Sequence, residues 1–275
     1  MQAAPRSQDS LAFSADGARW VLANASPDIR SQIEAAAALV PRAPRHSPIC
    51  GVLLTNGDLD HCLGLFSLRE AQPLQVYATS TIIGGLREHN ALCRTFERSP
   101  RQMTWHSLGL CRRTPLLDLD GRATGLSVEA IAAPGKLPIH LEGTMPPTPE
   151  DNVALSIRDE VRGRTLIYAP GVAARSDALD AALREADCVL FDGTFWSSDE
   201  LVRLGLGERT AEDMAHWPVG GAGGSLAFVA SLPAAARLYT HVNNTNPLLL
   251  EDSPERRAVV RAGVAVATDG MEFEP

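Results

Sequence analysis

The sequence has no run of about 20 apolar residues, the length that a transmembrane helix requires. Its first ten residues, MQAAPRSQDS, also lack the apolar core of a secretory signal. These absences argue against a membrane-spanning or exported chain. We therefore expect a cytoplasmic protein without membrane insertion.

Cysteine and positive charge are also scarce. The chain has five cysteines in 275 residues, and none of them forms a CxxC pair. A disulfide framework and a four-cysteine zinc site are therefore not expected. With 25 basic against 33 acidic side chains, the formal net charge is −8. An acidic chain does not bind nucleic acid through bulk charge, so we expect no nucleic-acid partner.

What the chain does have is a balanced composition, with 45% hydrophobic residues. This length and composition predict one domain over residues 1–275 with a sizeable core. Two sets of apolar strands with helices between them indicate a layered α/β sandwich. The predicted elements are a hairpin of Leu11–Phe13 with Trp20–Ala23, a helix over Ile29–Val40 begun by Ser26 and Pro27, strand Ile49–Leu54, helix Cys62–Glu70, strands Gln75–Ala78 and Val128–Ala133, a hairpin of Val153–Ile157 with Thr165–Ala169, helix Asp177–Ala186, strand Cys188–Phe191, helix Ser225–Leu232 and strand Arg237–Thr240.

The strongest local motif is Asp58-x-Asp60-His61, which follows the apolar strand Ile49–Leu54. Two carboxylates this close repel each other unless a cation neutralises them. A divalent metal would supply that cation, and His61 would add a nitrogen ligand. The alternative is an acidic loop in which Asp60 or His61 caps the following helix.

Two further polar groups follow predicted strands later in the chain. His241 comes after one strand, with Asn243 and Asn244 beside it, and Asp192 comes at the end of another. Alone, each has an ordinary structural explanation, such as an aspartate that bonds local amides. Aspartate or histidine at the ends of three strands together favours an active site at one edge of the sandwich.

Several motifs resemble a known family. The segment Thr55–Leu65 is similar to the HxHxDH signature of the metallo-β-lactamase superfamily. The segments NASPDIR (Asn24–Arg30), LTNGDLDHCLGL (Leu54–Leu65), FDGTFW (Phe191–Trp196) and THVNNTNP (Thr240–Pro247) resemble the pyrroloquinoline quinone (PQQ) biosynthesis protein B family over nearly the whole chain. The resemblance implies a four-layer αββα sandwich of the metallo-β-lactamase type.

The sequence departs from the superfamily at several ligand positions. Asn56 and Asp58 stand where the signature has its first two histidines, and Pro170 stands where a bridging aspartate is expected. No histidine follows the strand Val128–Ala133. A two-zinc hydrolytic site needs more ligands than remain, so a zinc hydrolase is disfavoured. The resemblance implies a single metal site, with Asp58, Asp60, His61 and His241 as the candidate ligands.

Two histidines and a carboxylate with open positions suit non-haem Fe(II) and oxygen chemistry. We therefore expect one divalent metal, Fe(II), with zinc as the alternative in purified protein. The family resemblance implies O₂-dependent hydroxylation of the tyrosine ring in a cross-linked Glu–Tyr precursor of PQQ. Older descriptions of the family instead imply a carrier that moves PQQ or its precursor towards the periplasm. The hydroxylase and the carrier both stay open at this point. The oligomeric state is also open, and a homodimer is one candidate.

The remaining candidates surround this site. His216 is the candidate catalytic acid or base, although a histidine at a helix end is an equal alternative. Arg30, Lys136 and Arg175 are candidate partners for substrate carboxylates, or else ordinary surface charges. The candidates for binding substrate or orienting the ligands are Asp28, Asn56, Asp192, Asn243 and Asn244.

The start of the chain differs from the family pattern. Family members usually begin with an additional strand and a CxCxxC segment, and neither is found here. We expect the sandwich to lack that first strand and any structural zinc held by that segment. At most one tightly bound metal per chain is predicted.

Overall fold

A computed structural model describes residues 3–68, 73–97 and 102–274. Within these residues the strands are β1 Leu11–Phe13, β2 Trp20–Ala23, β3 Ile49–Leu53, β4 Leu74–Ala78, β5 Met103–Ser107, β6 Thr114–Leu117, β7 Ala123–Ala132, β8 Val153–Asp159, β9 Thr165–Ala169, β10 Cys188–Asp192, β11 Ala236–Thr240 and β12 Ala265–Val266. The α-helices are α1 Ile29–Ala35, α2 Leu59–Cys62, α3 Ser80–His89, α4 Asp177–Glu185, α5 Glu200–Arg203, α6 Ser225–Ser231 and α7 Pro254–Arg261.

The strands form two sheets. The first has five strands in the order β1-β2-β3-β4-β5, and the second has seven in the order β12-β11-β10-β9-β8-β7-β6. Strands β2 to β5 run parallel to one another, as do β9 to β12. The carboxyl ends of the parallel strands in each sheet therefore lie at one edge, which is where open α/β sheets place their ligands.

Three hydrophobic clusters arrange the sheets and helices in layers. One cluster lies between the two sheets and includes Leu53 of β3 and Tyr168 of β9. A second joins the outer face of the first sheet to α1 and α3. The third joins the outer face of the second sheet to α4, α6 and α7. This is the four-layer αββα sandwich that the motifs imply.

Some predicted boundaries need correction. The helix expected over residues 29–40 ends at Ala35, because Ala36 adopts an extended backbone, and a separate 3-10 helix covers Ala37–Leu39. The helix begins at Ile29 rather than directly after Ser26, whose hydroxyl instead accepts a hydrogen bond from the Asp28 amide within a turn.

The helix predicted over residues 62–70 is also wrong in part. Helix α2 covers only Leu59–Cys62, and a 3-10 helix covers Leu63–Leu68. The predicted end at residues 69–70 lies outside the described residues. No helix in the part of the chain that the structure describes is long and apolar enough to span a bilayer.

Candidate metal centre

The candidate site lies where the carboxyl ends of β3 and β11 meet. Strand β3 leads through Thr55 into α2, which carries Asp60 and His61, while His241 directly follows β11. Because β3 belongs to the first sheet and β11 to the second, the site joins the two halves of the sandwich.

Three side chains converge there. The Nε2 atoms of His61 and His241 are 3.0 Å apart, and Asp60 Oδ2 lies 3.2 Å from His241 Nε2 and 3.5 Å from His61 Nε2. Ligands that each bind one ion at about 2.0–2.2 Å lie about 3 Å from one another. Two imidazoles and a carboxylate at these separations therefore fit a single divalent cation.

Close backbone packing positions α2. The Ala25 amide donates to the His61 carbonyl at 2.7 Å, and the Gly64 amide donates to the Ala25 carbonyl at 2.8 Å. A Cβ on Gly64 would lie 2.2 Å from the Ser26 carbonyl oxygen, so only glycine allows this approach. The contact holds the helical turn that carries His61 against the end of β2.

The side chain of His61 is buried and contacts neutral groups through Nδ1. Thr55 Oγ1 and Asn24 Nδ2 each lie 2.9 Å from this atom. Asn24 Oδ1 in turn accepts hydrogen bonds from the amide and the hydroxyl of Thr55, at 3.0 and 3.1 Å. Asn24 has a φ of 61°, in the left-handed region, which asparagine tolerates better than most residues.

His241 is held through its Nδ1 atom by Thr194 and Asp192. Its Nδ1 lies 2.7 Å from Thr194 Oγ1, and that hydroxyl donates to Asp192 Oδ1 at 2.6 Å. His241 also has a left-handed φ of 54°. The tight backbone turn after β11 directs Nε2 towards Asp60 and His61.

The surroundings shift the pKa values of the converging groups in different directions. Burial lowers the pKa of His61 to about 4, so its imidazole is neutral at pH 7. Burial also opposes the charged form of His241, but the hydrogen bond to Asp60 and the charges of Asp9 and Asp192 raise its pKa to about 9. Burial opposes ionisation of Asp60 as well, yet the bond from His241 and the histidine charges hold its pKa below the usual range.

A second pair, Asp192 and His216, lies beside the three ligands. The buried Asp192 carboxylate accepts from the amides of Val172 and Thr194, at 2.8 and 3.0 Å, and its Oδ2 lies 2.7 Å from His216 Nδ1. The His216 ring stacks on that of His241 with centroids 5.5 Å apart. Since Asp192 orients Nδ1 as the donor, the lone pair of His216 is left on Nε2.

The position of Asp58 separates it from the converging atoms. Among the described residues, the groups that bring three ligand atoms within 4.8 Å of one another are Asp60 with His61 and His241, and Asp192 with His216 and His241. Asp58 is half-buried, and burial and the charge of Asp60 raise its pKa. Its role as a ligand stays a prediction.

Comparisons with known proteins identify the family of this chain. The sequence model of the beta-lactamase superfamily domain matches residues 19–242. Coenzyme PQQ synthesis protein B from Methylobacterium sp. (strain 4-46) is 43% identical over 97% of this chain and 87% of its own length. The protein of that name from Azotobacter vinelandii is 40% identical over the full chain and 89% of its own length. The chain belongs to the coenzyme PQQ synthesis protein B (PqqB) family.

Solved structures support the same assignment. The crystal structure of zinc-bound PqqB from Methylobacterium extorquens matches with a TM-score of 0.90 and 39% identity, over 99% of this chain and 89% of that one. A diphosphatase of the PhnP family matches with a TM-score of 0.64 and 18% identity, over 96% of this chain and 82% of its own. The second likeness shows the fold alone.

In this PqqB-family chain, the side chain of Asn56 forms hydrogen bonds to neighbouring residues. Its Nδ2 donates to Asn152 Oδ1 at 3.2 Å, and its Oδ1 accepts from the Asp58 amide at 3.0 Å. At the position of the first signature histidine, the side chain therefore links the loop after β3 to the start of β8.

Other predicted residues lie away from the converging atoms. Asp28 accepts a hydrogen bond from the Gln8 amide at the surface. Asn243 donates to Thr245 Oγ1 at 2.7 Å, and Asn244 is exposed. The structure shows no contact of these three side chains with the histidines, so their assignment to substrate stays a prediction.

The three candidate cations differ in their availability. Arg30 pairs with Glu34 at 3.1 Å, and Arg175 pairs with Asp180. Lys136 forms no hydrogen bond or ion pair within the part of the chain that the structure describes, and its charge acts on Asp58. The contact of any of the three with a substrate carboxylate stays a prediction.

Sequence reasoning missed the groups that hold the histidines. Thr55 and Thr194 lie within the quoted motifs, but as hydroxyl residues between aspartates and histidines they carried no metal signal. Tyr168 and Asp9 lie far from the motifs in sequence, so only the fold brings them to the site.

Proposed function

We propose that this protein acts in the synthesis of PQQ as an Fe(II)- and O₂-dependent hydroxylase of the tyrosine ring in a cross-linked Glu–Tyr precursor. The observation that carries the proposal is the convergence of Asp60, His61 and His241, with Asn56 engaged elsewhere. Two imidazoles and one carboxylate leave open positions and suit ferrous iron. A ferrous ion held there would supply the activation of O₂.

The protein's own residues would orient the substrate and move protons. His216 Nδ1 faces Asp192, and its Nε2 has no hydrogen-bond partner among the described residues. We assign His216 the role of accepting the phenol proton of the tyrosine-derived ring. Lys136 would bind a substrate carboxylate. One oxygen atom of O₂ enters the aromatic C–H bond as a hydroxyl, and the other leaves as water with two electrons from an external reductant and two protons.

The test is a single-turnover assay. Metal-free protein is loaded with Fe(II) without oxygen, mixed with a cross-linked Glu–Tyr peptide and ascorbate, and then exposed to ¹⁸O₂. We expect a product that is heavier by one ¹⁸O atom. His241→Ala should abolish this product. His89→Ala, which alters an exposed histidine at the end of α3, should leave it unchanged.

Two other outcomes would overturn the proposal. Product formation at the same rate by His241→Ala would show that the assigned site is not used. Absence of product from iron-loaded protein, together with stoichiometric binding of PQQ, would favour a carrier instead.

A further inference from the structure

His241 has a backbone conformation that a histidine seldom adopts. Its φ of 54° lies in the left-handed region, which costs free energy for a residue with a side chain and persists only where the surrounding contacts hold it. On the side that precedes His241, the hydroxyl of Thr240 donates to Asp9, whose other oxygen accepts from the hydroxyl of Tyr168. The contacts on the side that follows His241 come from the loop after β10.

Four hydrogen bonds join the loop after β11 to the loop after β10 and the start of α5, in a closed ring. The Asn243 amide donates to the Thr194 carbonyl at 3.1 Å, and Asn243 Nδ2 donates to Thr245 Oγ1 at 2.7 Å. The Thr245 hydroxyl donates to Glu200 Oε1, and Glu200 Oε2 accepts from the Trp196 amide at 2.7 Å. Trp196 is two residues after Thr194, which closes the ring. The ring therefore fixes the two loops relative to each other.

Glu200 is an unusual member of this ring because it is almost completely buried, with 1% of the residue exposed. Burying a carboxylate is costly unless hydrogen bonds replace the lost water, and an apolar side chain of similar size often gives equal or greater stability. The two oxygens of a carboxylate, however, only accept, and here they meet two donors from different loops. This arrangement specifies the relative position of the loops.

Thr194 is the residue through which the ring contacts the candidate metal centre. Its hydroxyl lies 2.7 Å from His241 Nδ1, and its carbonyl accepts from the amide of Asn243, two residues after His241. Asn246 Nδ2 also donates to the carbonyls of Gly193 and Thr194, at 2.8 and 3.2 Å. The imidazole of His241 and the backbone that follows it are therefore both held against Thr194, whose position sets the direction of His241 Nε2.

We propose that Glu200 and Thr245 are positioning residues that hold the left-handed turn of His241 and so preform the metal centre. The inference deepens the proposed function, since it concerns the same metal site. Groups that orient a metal-bound histidine through hydrogen bonds typically change metal affinity by about 10- to 100-fold. We expect the lower part of that range, because Glu200 and Thr245 act on His241 through the loops.

The test compares two substitutions of Thr245 that differ in one group. Thr245→Val keeps the size of the side chain and removes the hydroxyl, whereas Thr245→Ser keeps the hydroxyl. Zinc affinity, from competition with a chromogenic chelator, should fall about tenfold in Thr245→Val and stay within about twofold of the wild type in Thr245→Ser. The visible spectrum of the Co(II)-loaded protein reports the geometry of the metal ligands, and it should change in Thr245→Val alone.

Glu200→Met tests the other end of the same hydrogen bond. The substitution removes both acceptors and replaces the carboxylate by an unbranched apolar side chain of similar size. We expect a loss of zinc affinity of about tenfold. The double variant with Thr245→Val should lose no more than the larger of the two single losses, because both residues act through one bond. Additive losses would overturn the proposal.

Leu86→Ala is the control for a general loss of stability. Leu86 is buried where α3 packs on the outer face of the first sheet, so its truncation weakens the core without touching the ring. Its zinc affinity should match that of the wild type. A loss in Leu86→Ala as large as that in Thr245→Val would show that zinc affinity only follows stability, and would overturn the proposal.

The pair of variants at Thr245 decides the inference even if Glu200→Met does not fold. Wild-type affinity in Thr245→Val, or an equal loss in Thr245→Val and Thr245→Ser, would refute a role of the hydroxyl. The zinc and cobalt measurements involve neither oxygen nor precursor. Failure of the hydroxylation assay together with the expected zinc and cobalt results would count against the proposed function alone.

Discussion

His61 and His241 come from different sheets and meet at their Nε2 atoms, yet the structure supports them in different ways. Each contacts a threonine hydroxyl through Nδ1, Thr55 in one case and Thr194 in the other. The Thr194 hydroxyl donates to the carboxylate of Asp192. The Thr55 hydroxyl donates to the neutral side-chain amide of Asn24.

The two side chains also differ in proton affinity: burial opposes the charged form of both, and the hydrogen bond to Asp60 and the charge of Asp9 act on His241 more strongly than the charge of Asp192 does. Nearby carboxylates outweigh burial at His241 and raise its pKa to about 9, whereas burial dominates at His61 and lowers its pKa to about 4. One histidine must lose a proton to bind a metal at pH 7 and the other is already neutral. The two halves of the sandwich thus supply electronically different ligands.

Removal of either ring should produce the largest effect. His61→Ala and His241→Ala each delete one of three converging ligands, so zinc affinity should fall by more than about 100-fold, beyond the loss typical of an outer partner. Competition with a chromogenic chelator measures this loss, with His89→Ala as the control. Retention of affinity within tenfold by either variant would refute the ligand assignment.

Asp192→Asn should destabilise the fold as well as the site. The buried carboxylate accepts from Val172, from Thr194 and from His216, and an amide nitrogen would meet a donor at one of these positions. Leaving such a group unsatisfied costs about 3 kcal/mol of unfolding free energy. Urea unfolding of the metal-free protein measures the change in unfolding free energy. A decrease of less than about 1 kcal/mol would contradict the hydrogen bonding assigned to the Asp192 carboxylate.

The pH dependence of zinc binding distinguishes the two histidines directly. Below pH 9 His241 holds a proton that zinc must displace, while His61 holds none above pH 4. Affinity should therefore rise about tenfold per pH unit from pH 7 and level off near 9. Calorimetry in buffers of different ionisation enthalpy should detect one proton released per zinc at pH 7. Release of two protons, or of none, would show that the pKa values do not differ in this way.

The smallest effect is expected at the amino ends of β9 and β10, at the opposite edge of the second sheet from the site. Arg164 pairs with Asp187 at 2.6 Å there, but its side chain is 56% exposed. Exposed ion pairs contribute at most about 1 kcal/mol, so Arg164→Ala should change the unfolding free energy by less than that and leave zinc affinity unaltered. A change in zinc affinity would mean that the two ends of the strands are coupled.

The contrast also shows how far the sequence predicts the molecule. The apolar strands and the Asp-His motifs at their ends predict the sandwich and the meeting of Asp60, His61 and His241, because parallel strands align their carboxyl ends at one edge. The motifs do not predict that Asp58 lies outside the converging group. Asp58 is the extended residue that precedes α2, whereas Asp60 and His61 lie within its single turn.

The supporting groups are harder to predict for a physical reason. Tyr168 and Asp9 approach the site through the packing of one sheet on the other and the course of the N-terminal segment. Neither relation leaves a local pattern in the sequence. Hydroxyl and amide groups can form these hydrogen bonds at any distance along the sequence. They therefore show no characteristic spacing, whereas side chains on one face of a helix recur with its period.

The most direct test of the account is anomalous diffraction from crystals of the protein loaded anaerobically with Fe(II). We expect one iron peak per chain, about 2.0–2.2 Å from His61 Nε2, His241 Nε2 and an Asp60 oxygen. The same map will show whether Asp58 contributes a ligand. A peak bound by Asp192 and His216 without His61, or a second iron of equal occupancy, would contradict the single site proposed for this protein.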